Sequence, residues 1–303
     1  MRLMPLQKTI TQSREDAKIS LKKFLRTLCG SGTLRALLLF VVMLVVGCKT
    51  TSDKPTSDLG QPQFDPSQSD PDAIRIADEV VVALGGRENY EAINYLSFHF
   101  VSTRGDTQVT NWRHDWDCRK NNYRVEGTTR DGDHLLGVFN LDTRDGVAFK
   151  NGQKMDGEEK LQILKRLYGR YINDTFWLLM PFKLKDAGAM LKYDGTQEVN
   201  DITYDVVRLS YADSVGLTPR NIYRIFVDQA TRLVHRWEYF EKESAEPSPA
   251  WWEKWNVHGG IKLAEERIFE NSNRKLLFTD IIVSREVDEK IFEVAAISTA
   301  RMF

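Results

Sequence analysis

Apolar residues first gather in one unbroken run, residues 36–46 (ALLLFVVMLVV), and then all but vanish from residues 49–70 (KTTSDKPTSDLGQPQFDPSQSD). Periodicity follows. Ile76, Ala77, Val80, Val81 and Leu84 recur at helical spacing behind Asp70-Pro71, an N-cap with proline at the first helical position, and Gly85-Gly86 ends the pattern. A short helical turn follows over Glu88 to Ile93. From Tyr95 the period falls to about two, in runs over Leu96–Thr103, Thr107–Asp117, Asn122–Thr129, His134–Leu141 and Gly146–Lys150, joined by the turn sequences RGD, RKN, RDGD and TRDG. A second helix is predicted over Gly157 to Ile172, with Leu161, Leu164, Leu167, Tyr168 and Tyr171 on one side, closing near Asn173-Asp174. The apolar stretch TFWLLMPFKL (Thr175 to Leu184) does not alternate. Strand patterns resume at Ala189–Tyr193, Gln197–Val199, Ile202–Tyr211, Asn221–Asp228, Leu233–Glu243, Gly260–Phe269 and Leu276–Ser284, with a short Phe292-Glu293-Val294. These patterns predict a mainly β, α+β architecture: one incomplete antiparallel β-barrel of about eleven strands wrapped round two or three helices.

The apolar run at residues 36–46 has the length of a signal-peptide core and falls short of the roughly 20 residues that span a bilayer. Arg35 precedes it and Gly47-Cys48-Lys49 follows. LVVGC, Leu44 to Cys48, looks like a bacterial lipobox, in which a small residue allows cleavage before a diacylglyceryl-modified cysteine. The reading is therefore a lipoprotein signal peptide over 1–47, a lipidated Cys48 with a flexible tether over 48–70, and a folded domain over 71–303. By resemblance to enterobacterial sorting rules, Lys49 in place of Asp after the cysteine points to an outer-membrane anchor facing the periplasm. Replacing Cys48 with Ala is expected to leave an uncleaved precursor that incorporates no labelled palmitate; unchanged labelling would overturn the anchor.

Net charge is −1, but residues 1–47 hold eight Lys/Arg against two Asp/Glu, leaving 34 basic and 41 acidic residues for the rest. A mildly acidic body lacks the basic footprint of a nucleic-acid binder. With 42% hydrophobic and 28% charged residues the chain is neither disordered nor polytopic. Once Cys29 leaves with the signal peptide and Cys48 is acylated, Cys118 stands alone, so the domain folds without an internal disulfide.

Alternation places Trp112, His114, Trp116 and Cys118 on one strand face and Asn111, Arg113, Asp115 and Asp117 on the other. The aromatic set is the interior candidate. Tyr123 with Val125, Phe139 with Leu141, Val147 with Phe149, and Leu233, His235, Trp237 and Tyr239 form similar groups. Trp112, Trp116, Tyr123, Phe139, Phe149, Trp177, Phe182 and Trp237 are thus the candidates to line an apolar ligand cavity, with plain core packing as the alternative. Phe176 to Phe182 reads either as a buried plug or as a mobile flap over a hydrophobic mouth. SPAWWEKWNVHGG (Ser248 to Gly260) puts Trp251, Trp252 and Trp255 in a long hairpin connection, as a membrane or partner surface or collapsed on the barrel end. The five histidines, His99, His114, His134, His235 and His258, occur singly, and no metal, nucleotide or nucleophile-elbow motif accompanies them. Asp115/Asp117 and Glu265/Glu266 read as charged outward faces. No cofactor and no enzymatic chemistry is implied.

ADEVVVALGGRENYEAINYLSFHF (Ala77 to Phe100), YRVEG (Tyr123 to Gly127), NDTFWLLMPFKLKDAG (Asn173 to Gly188), YDVVRLSY (Tyr204 to Tyr211) and FVDQATRLVHRWEYF (Phe226 to Phe240) resemble periplasmic proteins related to the outer-membrane lipoprotein-sorting carriers LolA and LolB. The resemblance implies an incomplete barrel covered by helices, with an apolar cavity for acyl chains. It makes Arg124 the counterpart of an arginine linking sheet to lid, and its lipobox makes the chain more like LolB. The partners implied are the membrane, a lipid or acyl chain, and, in the alternative reading as an envelope scaffold or sensor, another protein.

Overall fold

The computed structural model describes residues 63–212, 220–243, 245–270 and 272–293. Cys48, the expected signal peptide and most of the expected tether lie outside them. Among the described residues thirteen antiparallel strands form one sheet. A first meander comprises β1 (Tyr95–Arg104), β2 (Thr107–Asp117), β3 (Asn122–Thr128), β4 (His134–Asn140), β5 (Gly146–Lys150) and β6 (Gln153–Met155). A second comprises β7 (Ala189–Val199), β8 (Ile202–Tyr211), β9 (Ile222–Asp228), β10 (Val234–Phe240), β11 (Ser248–His258), β12 (Ile261–Phe269) and β13 (Arg274–Ser284). β13 pairs with β1, so the sheet runs from β6 through β1 and β13 to β7, and those two end strands remain its edges. The result is a curled, unclosed antiparallel sheet, mainly β with a few helices.

Three α-helices complete the described chain: α1 (Pro71–Ala83), α2 (Arg87–Glu91) and α3 (Gly157–Leu179). α3 joins one sheet edge to the other. At 23 residues it is about 35 Å long, enough to cross the sheet, and it packs on β4, β5 and β12. Its first half fits by size: a Cβ on Gly137 of β4 would lie 2.5 Å from Leu167 Cδ1, so the glycine makes room for the leucine. α1 packs on β7, β8 and the 3-10 turn Met180–Phe182 that ends α3.

α1 stops where its pattern predicts. Gly85 has φ 110°, and a Cβ there would meet Gly260 O at 2.3 Å. Gly85→Ala is expected to lower the denaturant midpoint, because strained backbone alone costs about 1–3 kcal/mol; an unchanged midpoint would contradict this close approach.

Several expectations are corrected. The second helix runs to Leu179 and does not close at Asn173-Asp174, because Asp174 finds partners in the core and the Thr175 hydroxyl donates to Tyr171 O at 2.6 Å. Pro181 then prevents continuation. Ser248–His258 is a strand between β10 and β12, with Trp252 buried, and no loop. Residues 189–199 form one strand with a bulge, Gln153–Met155 adds a strand too short to read, and Phe292, expected to open a strand ending at Val294 outside the described residues, closes the 3-10 turn Glu289–Phe292. Ser69 and Asp70, assigned by composition to the tether, bond to β7: Leu191 N–H donates to Ser69 Oγ at 2.8 Å and Tyr193 N–H to Asp70 Oδ2 at 2.9 Å. They cover part of an otherwise open edge.

Candidate functional site

The concave face carries two features, a polar anchor beneath the C-terminal half of α3 and an aromatic cavity beside its end. At the anchor, β2 and β3 present His114 and Tyr123, both fully buried. His114 Nδ1 lies 2.8 Å from the Tyr123 hydroxyl and its Nε2 3.1 Å from Asp174 of α3, with the ring stacked on Phe98 at 4.7 Å. Asn173 Nδ2 donates to Asp174 at 2.7 Å and Arg170 Nη1 at 3.4 Å, while the Arg170 guanidinium lies 4.7 Å over Trp112. A second anchor comes from β12. The buried Arg267 guanidinium lies 3.4 Å over Trp252 and donates to Trp177 O at 2.6 Å and Ala264 O at 3.0 Å. Burial holds its pKa well below the ordinary arginine range. It satisfies a carbonyl of the last turn of α3, where the helix dipole favours a cation.

The cavity, about 730 Å³ and open on one side, lies between the C-terminal part of α3 and strands β8 to β13. Ile172, Phe176, Trp177, Tyr211, Tyr223, Trp237, Tyr239 and Phe269 supply its apolar walls, with Asn173, Lys183, Asp186, Asn221, Ser248 and Arg274 among the polar lining. Trp177 meets Trp237 edge to face at 4.1 Å and Phe269 at 5.6 Å; Phe176 lies 5.5 Å from Tyr223. Burial pushes the Tyr223 phenol up to about 12 and raises Tyr211 still further, so these walls stay uncharged at neutral pH.

Of the residues singled out from the sequence, Trp177 and Trp237 line this cavity. Trp112, Tyr123 and Phe139 are buried in the core, and the partly buried Trp116 packs edge to face on Tyr171 at 5.6 Å. Phe182 is buried beneath α2, stacked on Tyr90 at 4.4 Å. Phe149 faces the other way. Gly137, which faces α3, pairs with Ala148, so Phe149, pairing with Leu136, points to the convex face. Arg124 is likewise convex, bonded to Glu126 at 2.6 Å, and the sheet-to-helix arginine is Arg267. A bulge between Val234 and Arg236 puts Val234 in the core and turns His235 towards Tyr204 on the opposite face.

The carboxylates weighed as outward charges have structural partners. Asp115 is buried, accepting from Tyr95 at 2.6 Å and Ser97 at 3.0 Å, while Asp117 caps the β2–β3 turn. Glu266 binds Lys254 and Lys275. Burial, reinforced by Asp117, pushes the Cys118 thiol up to about 12, leaving it protonated and unreactive. Tyr211, Tyr223, Phe269 and Arg274 were missed as lining residues. Tyr223 had a usable signal: the β9–β10 hairpin pairs it with Tyr239, which puts it on the Trp237 face.

No protein-family model and no curated protein sequence matches the chain. Solved structures similar to it include a DUF1329 family protein from Desulfovibrio piger, at 11% identity and TM-score 0.44, covering 76% of this chain and 100% of that one. A LolA superfamily protein from Nitrosomonas europaea aligns at 14% identity and TM-score 0.42, over 73% and 97% of the two chains. A putative outer membrane lipoprotein-sorting protein domain from Vibrio parahaemolyticus aligns at 9% identity and TM-score 0.41, over 73% and 96%.

Proposed function

We propose that this chain is a lipid-anchored envelope protein that takes up an acyl chain of a lipid or lipoprotein in its aromatic cavity, as a carrier or receptor and not as an enzyme. The observation that carries the reading is the cavity of about 730 Å³ walled by Phe176, Trp177, Tyr211, Tyr223, Trp237 and Phe269, within the roughly 300–1,000 Å³ of small-molecule sites. Each methylene that enters gains about 0.8 kcal/mol relative to water. A bilayer offers an acyl chain nearly the same gain, so a transfer protein needs a matched cavity more than a deep one. The anchor at Cys48 rests on the lipobox, and the outer-membrane, periplasm-facing location on Lys49 after it.

Trp177 supplies the test. It is partly exposed at the cavity wall, and its hydrogen bond to the sheet is made by its backbone carbonyl, which alanine keeps. Trp177→Ala is expected to reduce uptake of a fluorescent fatty acid by at least about tenfold, as for a residue that dominates a binding surface, while shifting the melting temperature little. Unchanged uptake would overturn the assignment of this cavity. The reading as a scaffold with a tryptophan docking surface is less well supported, since Trp252 is buried in β11 and stacked against Trp255 at 6.2 Å.

A further inference from the structure

The mouth of the cavity is electrostatically one-sided. Arg274 lines it from the start of β13, its guanidinium 4.4 Å over Phe269 and its side chain open to solvent. Arg104 is its register partner on β1, which puts both side chains on the concave face, and Arg130 follows β3 nearby. Partial burial, then the fields of Arg130 and Arg104, lower the Arg274 pKa from its ordinary value.

Several arginines of the sheet and its turns have acidic partners, and the buried Arg267 is held by backbone carbonyls. Arg113 binds Asp115, Arg224 binds Glu238, Arg232 binds Asp205, and Arg236 binds Glu238 and Glu270. Among the described residues no carboxylate lies within ion-pair distance of Arg274, Arg104 or Arg130, and no side-chain acceptor bonds the Arg274 guanidinium. On the opposite rim Lys183 is neutralised by Asp186. Arg274 at the mouth, with Arg104 beside it on β1, sets like charges against one another above apolar walls, and an anion placed against them relieves that repulsion while gaining charge-assisted hydrogen bonds.

We propose that Arg274, with Arg104 and Arg130, forms an oxyanion subsite at the cavity mouth, so that the ligand is an acyl chain carrying an anionic carboxylate or phosphate headgroup. This rests on the assignment of the cavity to acyl chains and adds the headgroup class. The free planar fork of Arg274 suits two oxygens of either anion, and the apolar walls begin directly beneath it at Phe269.

The experiment uses the full-length protein in membrane vesicles with three diazirine-bearing probes: palmitic acid, phosphatidic acid and neutral diacylglycerol. Crosslinks are mapped by peptide mass spectrometry to residues 172–187 and 221–239. At least one anionic probe is expected to label these peptides about tenfold more than diacylglycerol, the scale of a charged hydrogen-bonded contact. The ratio between the carboxylate and phosphate arms identifies the headgroup. Arg274→Gln is expected to bring anionic labelling down to the diacylglycerol level without changing the latter, and Arg274→Lys to retain part of the preference. Equal labelling by all three probes, or anionic labelling unaffected by Arg274→Gln, overturns the subsite while leaving the cavity reading intact. Absence of cavity labelling by any probe overturns both.

Discussion

Asp174→Ala is expected to lower the melting temperature by on the order of 10 °C, corresponding to about 3–5 kcal/mol for removing one partner from a buried polar pair. The carboxylate is fully buried, and it is the group through which α3 is bonded to β2. Its loss leaves His114 Nε2 without a partner inside the sheet, since the other ring nitrogen is already committed to Tyr123. Asn173 Nδ2 and the Arg170 guanidinium lose the same acceptor. Asp174→Asn keeps the volume and one acceptor oxygen and is expected to lose less than half as much. Thermal unfolding followed by circular dichroism measures both, and a wild-type melting temperature for Asp174→Ala would contradict the anchoring of α3 described above.

Phe182→Ala is expected to destabilise by about 3–5 kcal/mol, as large-to-small changes of buried aromatic residues do. Phe182 is 1% exposed, stacked on Tyr90, and fixed in place by Arg87, which donates to its carbonyl at 3.0 Å. It lies away from the cavity lining, so whatever protein remains folded should take up ligand as the wild type does. Urea denaturation together with fatty-acid titration separates the two quantities. The contrast with Trp177→Ala resolves the stretch Phe176–Phe182 physically: Leu178, Leu179, Met180 and Phe182 are plug, whereas Phe176 and Trp177 are wall. Retained stability in Phe182→Ala would contradict this division.

The strands were legible because period-two patterns separated by turn residues specify hairpins, and β2 and β5 have the bounds that the alternation indicates. Long-range contacts decided what was not legible. Asn173 and Asp174 read as a helix end because both residues favour caps over helix interiors, yet a buried histidine 60 residues earlier holds Asp174 in place. Phe149 and His235 were misplaced by local parity, which cannot register where a run meets its partner strand or where a bulge resets the count. Arg124 and Arg267 show the same limit, since either could reach a helix until the side of the sheet is known. Arg274 was invisible as a site residue: one arginine at a strand start carries no signal until its lack of an acidic partner is seen in three dimensions.

The central claim, that the cavity holds an acyl chain, is tested most directly by native mass spectrometry of the full-length protein released from detergent micelles after incubation with a long-chain fatty acid. A population heavier than the protein by one acyl ligand is expected, abundant in the wild type and lost in Trp177→Ala. A wild-type spectrum showing the protein alone under conditions in which it remains folded would contradict the claim.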